Sequence, residues 1–317
     1  MGECLQLKGK KWYVRIQSTG LEYCKLLIIF TFRSECTLQL GITVDIMKRT
    51  MKTYLTTLAA SLLAVSCVIN ISGGSWVGEC TEDGIDYTEV RDVKAFLGLS
   101  SSLPCRVYYT QGAQQEVRIE STQEFAGKVL TELEDGVLKL RFEKGRYPKL
   151  ILRVVITSPD IESIAVRGSG NVILDSSLVA SKDLSLNVSG SGSIIAGDIR
   201  SKDFSTTIGG SGDISIANLA CAGFNAMVGG SGHVEIETLA AMNDASAGIS
   251  GSGRIRLYEV TVDGDMDLQT SGSGSILVNG RCHEVNAVTS GSGSIFGSLS
   301  HTGIRTQSYG SGRVNLQ

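Results

Sequence analysis

Proline is nearly absent from this chain, with 3 residues in 317, whereas glycine is abundant at 38. A flexible glycine-rich linker lacks regular apolar spacing. Here Ile and Val recur at fixed distances from the glycines, so the glycines punctuate a folded structure. Clustered basic charge is also missing. From Cys67 onward the chain carries 20 Lys and Arg against 28 Asp and Glu, a net charge of −8. That balance argues against a nucleic-acid partner, whose recognition needs grouped Lys and Arg to displace counterions. No CxxC pair or Cys–His spacing suggests zinc. No Ser or Cys stands in a nucleophile motif. Nor is there a long apolar run: Leu26-Leu27-Ile28-Ile29-Phe30, bounded by Lys25 and Arg33, falls far short of the ~20 residues that cross a bilayer as a helix. At 42% hydrophobic and 19% charged residues, the composition is that of a globular protein, and the length allows two domains.

What is present begins with a targeting segment. Lys48, Arg49 and Lys52 precede the apolar stretch Leu55 to Val65, closed by Ser66-Cys67. A short basic region, a short apolar core and small residues at the end make a secretory signal peptide. Leu63-Ala64-Val65-Ser66-Cys67 resembles a bacterial lipoprotein signal, in which Cys67 is lipidated and becomes the mature N-terminus. The alternative is ordinary cleavage after Ser66, leaving Cys67 a free thiol. Because signal peptides act at an N-terminus, translation is expected to start at Met47 or Met51. Residues 1–46 are then a start-site artefact outside the fold, 47–66 the signal and 67–86 a linker.

The tripeptide Gly-Ser-Gly recurs eight times, through Gly168 and Gly170, Gly190 and Gly192, Gly210 and Gly212, Gly230 and Gly232, Gly251 and Gly253, Gly272 and Gly274, Gly291 and Gly293, and Gly310 and Gly312. The steps between copies are 22, 20, 20, 21, 21, 19 and 19 residues. Four places after each first glycine stands Val172, Ile194, Ile214, Val234, Ile255, Ile276, Ile295 or Val314, always β-branched and aliphatic. Six places after it come Leu174, Ala196, Ile216, Ile236, Leu257, Val278, Gly297 and Leu316, so apolar residues follow the period of two of a strand with one buried face. Two places before it are Val166, Val188, Ile208, Val228, Ile249, Thr270, Thr289 and Ser308, where a second strand ends. Ser193, Asp213, His233, Arg254 and Arg313 lie between the apolar columns and are expected to face solvent.

A unit of about 20 residues cannot bury such strands alone, so the units stack. The expected fold is all-β: a right-handed parallel β-solenoid, or single-stranded β-helix, of about eight coils over residues 161–317. Its handedness follows the bias of parallel crossovers. The glycines are expected at corners where positive φ or close backbone approach excludes a Cβ, with the Ser between them hydrogen-bonding its neighbours in the stack, and a valine there should break one coil. Residues 87–160 lack the tripeptide but read as a β-rich lead-in, with strands at 105–109, 116–120, 136–142 and 150–156, that caps the first coil. Cys80 and Cys105 flank its first strands and could pair in an oxidising compartment, whereas Cys221 and Cys282 are small buried hydrophobes.

The tripeptide followed by a polar residue and Ile or Val, after Val117-Arg118-Ile119 and Leu138-Lys139-Leu140, resembles the head GIN domain family of putative auto-transporter adhesins. The resemblance covers about Tyr87 to Gln317, with Gly190–Ile194, Gly210–Ile214 and Gly291–Ile295 closest to the pattern. It implies a secreted or envelope-anchored β-solenoid and says less about activity, because fold alone does not define function. With the repeats running to Gln317, no auto-transporter barrel is expected.

Solenoids also house polysaccharide-cleaving enzymes, which need clustered acids or bases. Asp198, Asp203 and Asp213, or Asp263, Asp265 and Asp267, could supply a carboxylate pair or bind calcium, but neither set recurs at matching coil positions. His233, His283 and His301 fall at unmatched repeat positions. The expected protein is therefore a non-catalytic, adhesin-like envelope lipoprotein without cofactor or metal. It would be held by lipid on Cys67 to the outer membrane, facing the periplasm or the cell exterior. Its ligand would be a glycan or protein surface, with homo-oligomers possible; the alternatives are a structural assembly protein or a carbohydrate-active enzyme.

Overall fold

The computed structural model describes residues 76–317 and, before them, the backbone of four strands. Those strands, Glu3–Leu7 with Lys10–Val14 and Cys24–Thr31 with Thr37–Val44, pair as two antiparallel two-stranded sheets in a unit spanning Met1–Gly73. The segment 47–66 and Cys67 lie outside the described residues. Within the expected linker, Trp76–Thr81 is a strand, parallel to the start of the strand Arg146–Ser158.

The repeats form two facing sheets of parallel strands. One coil shows the plan. Asp203–Ile208 runs to the corner at Gly209 to Gly212, Asp213–Cys221 returns on the other sheet, and the chain turns at Ala222 into Gly223–Val228, the next coil. Each strand pairs with its equivalent one repeat on, Ile214 against Val234 and Val234 against Ile255, with one register shift, between Leu257 and Val260. The core of this coil is Phe204, Thr206, Ile208, Ile214, Ile216, Leu219 and Cys221, all buried. Alternation slips between Ile216 and Leu219, where Ala217 and Asn218 both lie outside the core. The strand therefore bends around the interior, and two strands enclose it on three sides. In-register stacking also superposes like side chains: the Phe204 and Phe224 rings are parallel within 1° at 6.2 Å between centroids. Eight corners bound about seven full turns, from Gly168 to Gly310.

The corner explains the glycines by close approach and, with the exception of Gly310, not by positive φ. A Cβ on Gly210 would lie 2.1 Å from the Gly190 carbonyl oxygen, and one on Gly212 would lie 1.9 Å from that of Gly192. In a strand, Cβ points into or out of the coil; where the chain turns, it points along the stack into the preceding rung. The backbone N–H of Ser211 donates to Gly190 O at 3.1 Å, and Ser231 to Gly210 O at 3.0 Å. The rung-to-rung bond expected of the serine is thus made by its backbone, while its side chain is exposed. Of the three hydroxyls that replace Val or Ile late in the preceding column, two find partners across the same corner, Thr289 donating to Gly293 O and Ser308 to Gly312 O, whereas Thr270 Oγ1 is buried without a hydrogen-bond partner.

The lead-in shares the stack. Gly98–Ser101 and Arg106–Gln111 form a rung parallel to Ser163–Val166 and Val172–Leu174, with Ser102-Leu103-Pro104-Cys105 in place of Gly-Ser-Gly. Val137–Phe142 and Arg146–Ser158 form another on its far side. Stack order therefore departs from chain order, because the 98–111 rung lies between 137–158 and the first Gly-Ser-Gly coil. Antiparallel strands close this end: Val129–Glu134 beside Val137–Phe142, and Tyr87–Arg91 beside Glu116–Ser121, which itself lies against Leu152–Thr157. Between them is one short helix, Gln123–Ala126, capped by Thr122. At the opposite end, Gly303–Ser308 is largely exposed, and Ile304 in the core column is 42% accessible.

The corner geometry yields a paired prediction. Gly209 and Gly210 are adjacent, yet an added Cβ meets nothing within 4 Å at Gly209 and a backbone oxygen at 2.1 Å at Gly210. Gly210→Ala should destabilise by about 1–3 kcal/mol or more, as overpacking against rigid backbone does. Gly209→Ala should leave the unfolding midpoint near wild type, as read by thermal or denaturant melts.

Candidate functional site

Outward side chains inherit the register of the strands and form ladders along the stack. At the second corner, seven residues before each Gly-Ser-Gly, an acid often stands. Asp183 Oδ1 accepts from the N–H of Asp203 at 3.3 Å, Asp203 Oδ1 from Gly223 at 3.0 Å, Asp244 Oδ1 from Asp265 at 3.0 Å and Asp265 Oδ1 from Glu284 at 3.2 Å. These carboxylates tie one rung to the next. Asp213 likewise accepts from the His233 N–H at 3.1 Å, Asp198 from the Asn218 amide at 2.7 Å and Asp267 from the Asn286 amide at 2.9 Å.

The structure does not gather the acids flagged in the sequence. Asp198 lies on the second arm of its strand, Asp203 at the second corner and Asp213 at the start of the first arm. Among the described residues no group of three or more His, Cys, Asp or Glu is placed to hold a metal ion. His233 and His283 each face an aspartate one rung before, Asp213 at 3.0 Å and Asp265 at 2.9 Å. His301 lies on a separate rung. The hydrogen bond with Asp265 raises the pKa of His283 and, reciprocally, lowers that of Asp265. Cys80 and Cys105 are joined as a disulfide with Cα atoms 5.6 Å apart, tying Trp76–Thr81 to the corner of the 98–111 rung. Cys221 and Cys282 are buried, and burial pushes their thiols up to about 12 and about 11.

The two lateral faces differ. Outward positions on the shorter-stranded sheet are mostly uncharged: Ser185, Asn187, Ser205, Thr207 and Ser246 are small, and Met227, 44% exposed, stands among them over Gly248. On the other sheet the ladder Ser193, Asp213, His233, Arg254 runs beside the ladder Ile195, Ser215, Glu235, Arg256. Between these ladders lies a groove of about 460 Å³. Sequence inspection singled out His233 and Asp213 separately. The solvent-facing column Ser193, Asp213, His233 and Arg254 was read from the repeats; adding Glu235 and Arg256 needed the neighbouring outward column to be aligned as well.

Residues 95–280 match the family described as putative auto-transporter adhesin, head GIN domain. The chain belongs to this family. Solved structures share the fold of this head GIN protein at low sequence identity. A putative adhesin from Parabacteroides merdae is 16% identical, with a TM-score of 0.65 over 77% of this chain and 99% of its own. A putative adhesin from Parabacteroides distasonis is 17% identical, at 0.66 over 75% and 100%. A putative lipid binding protein from the same species is 18% identical, at 0.60 over 75% and 100%. No curated protein matches this head GIN chain significantly.

Two outcomes follow for this head GIN protein. Cys221 and Cys282 should resist thiol reagents at pH 8 in the native state and react on unfolding, as followed by absorbance with an aromatic disulfide. For His283, a folded-state pKa above 6.5 means a contribution to stability that is complete below about 6.5 and lost as pH rises through the raised value. Asp265 adds its part above 3.8, and loses it as pH falls through its lowered value. NMR titration should place His283 above 6.5, and Asp265→Asn should bring it back toward that value.

Proposed function

We propose that this head GIN chain is a cell-envelope module, anchored through lipid on Cys67, that binds a glycan or protein surface and catalyses no reaction. The observation that carries the reading is how the polar residues are used. Asp183, Asp203, Asp213, Asp244 and Asp265 are spent on rung-to-rung hydrogen bonds, which holds them in a framework role. What remains available is a pair of lateral faces whose side chains repeat at about 4.8 Å. A regular, laterally exposed array suits contact with an extended or repetitive partner. Family membership and relatives described as adhesins support the same reading, as does a neighbour described as lipid binding for attachment to an envelope surface.

The expected outcome is that an alkyne analogue of palmitate labels the protein in cells, that Cys67→Ser abolishes labelling, and that protease added to intact cells removes it. Beads carrying the full chain should adhere to glycan-bearing cells. Turnover in a polysaccharide depolymerisation screen, abolished by Asp213→Ala, would overturn the reading.

A further inference from the structure

The groove between the two ladders crosses four rungs, about 14 Å at the usual strand spacing, and its charges are unevenly matched. Asp213 is engaged by His233 at 3.0 Å. Glu235 accepts from the Tyr258 hydroxyl at 2.9 Å and pairs with Arg256 at 3.5 Å. Arg254 is exposed and forms no ion pair among the described residues. The groove thus grades from a neutral end, Ser193, Ile195 and Ser215, through internally satisfied charges, to one guanidinium with all its donors available.

We propose that this groove binds a short stretch of a sparsely acidic polysaccharide, with a sugar carboxylate on Arg254 and sugar hydroxyls on Ser193, Ser215 and the remaining acceptor positions of Asp213 and Glu235. The proposal rests on the binding-module reading above. A guanidinium presents parallel N–H donors that match a carboxylate. Serine hydroxyls donate to or accept from sugar hydroxyls, and ionised carboxylates accept from them. Tyr258, 37% exposed two residues beyond Arg256, offers ring surface on the same face for the apolar side of a sugar.

Other occupants fit less well. The four strands lining the groove each have a strand on both sides, from Val172–Leu174 to Ser275–Arg281. No edge is therefore free there for a peptide to add as a strand. Ile195 is the one exposed aliphatic side chain among the residues lining it, too little to hold an acyl chain. The net charge of −8 from Cys67 onward repels densely charged polyanions, which selects a glycan with isolated carboxylates.

The test is calorimetric titration of the full chain with sialyllactose against lactose, and with a glucuronate-bearing xylotetraose against xylotetraose. The acidic members should bind at least about tenfold more tightly than their neutral twins. Arg254→Ala should bring them down to the neutral level, and Arg254→Lys should retain part of the difference. Arg313→Ala, an exposed arginine in the same repeat column, should change nothing, and all three variants should keep the wild-type melting midpoint. Equal binding of acidic and neutral sugars, no binding of either, or no effect of Arg254→Ala would each overturn the groove assignment. Tighter binding of heparin would overturn the preference for sparse charge, and equal binding of polyglutamate through Arg254 would overturn a glycan in favour of an acidic peptide. Failure of the broader reading is separable: beads carrying Arg254→Ala that adhere to cells as well as wild type discard the groove alone, whereas wild-type beads that do not adhere discard the adhesin.

Discussion

The approach of one corner to the next, backbone against backbone, is the constraint on which the rest depends. Strands can keep their spacing with any side chain, because Cβ points into or out of the coil. At the corner it points along the stack, where the preceding carbonyl already stands, so every Gly-Ser-Gly must omit two side chains for the strands on either side to remain in register. The same carbonyl is the acceptor for the serine N–H of the next rung, so the approach that excludes a Cβ also supplies a hydrogen bond. Register then propagates in both directions, into a core of superposed columns and out to the lateral ladders.

Superposition has an electrostatic consequence. Identical charges stacked along a ladder would repel over about 4.8 Å, and the chain avoids this by varying what it places in each column. Ser193, Asp213, His233 and Arg254 pass from neutral through negative to positive over four rungs. The aspartates at the second corner instead turn toward backbone N–H groups, where a carboxylate accepts a hydrogen bond and is partly compensated. Acids that in sequence resemble a catalytic or calcium-binding cluster are dispersed by this usage, each serving its own rung.

Periodicity made the solenoid legible before any coordinates. A column that reads Val172, Ile194, Ile214, Val234, Ile255, Ile276, Ile295 and Val314 admits few other folds. The lead-in was harder. Ser102-Leu103-Pro104-Cys105 turns the same corner without glycine, and the close approach to it is made from the following rung, where a Cβ on Gly168 or Gly170 would meet the carbonyls of Ser102, Leu103 and Cys105. The out-of-order rung depends on pairing between segments distant in sequence, which no local pattern records. Of the groove, one ladder, Ser193, Asp213, His233 and Arg254, was visible as a column of solvent-facing polar residues. The relation of that ladder to Glu235 and Arg256 beside it exists only once the rungs are in register.

The misordered rung also bears on how such proteins change length. Because residues 98–111 are held between 137–158 and the first Gly-Ser-Gly coil, the chain beyond Ser158 must pass that rung before winding onward. The N-terminal end is an interlocked block, and inserting a coil there would part strands that hold one another in place. Beyond Gly168 each coil touches only the one before and the one after, so a duplication of some twenty residues adds a turn without disturbing anything else. Growth of the rod over evolutionary time is therefore confined to the repeats, and its polarity is written into the knot of strands at its base.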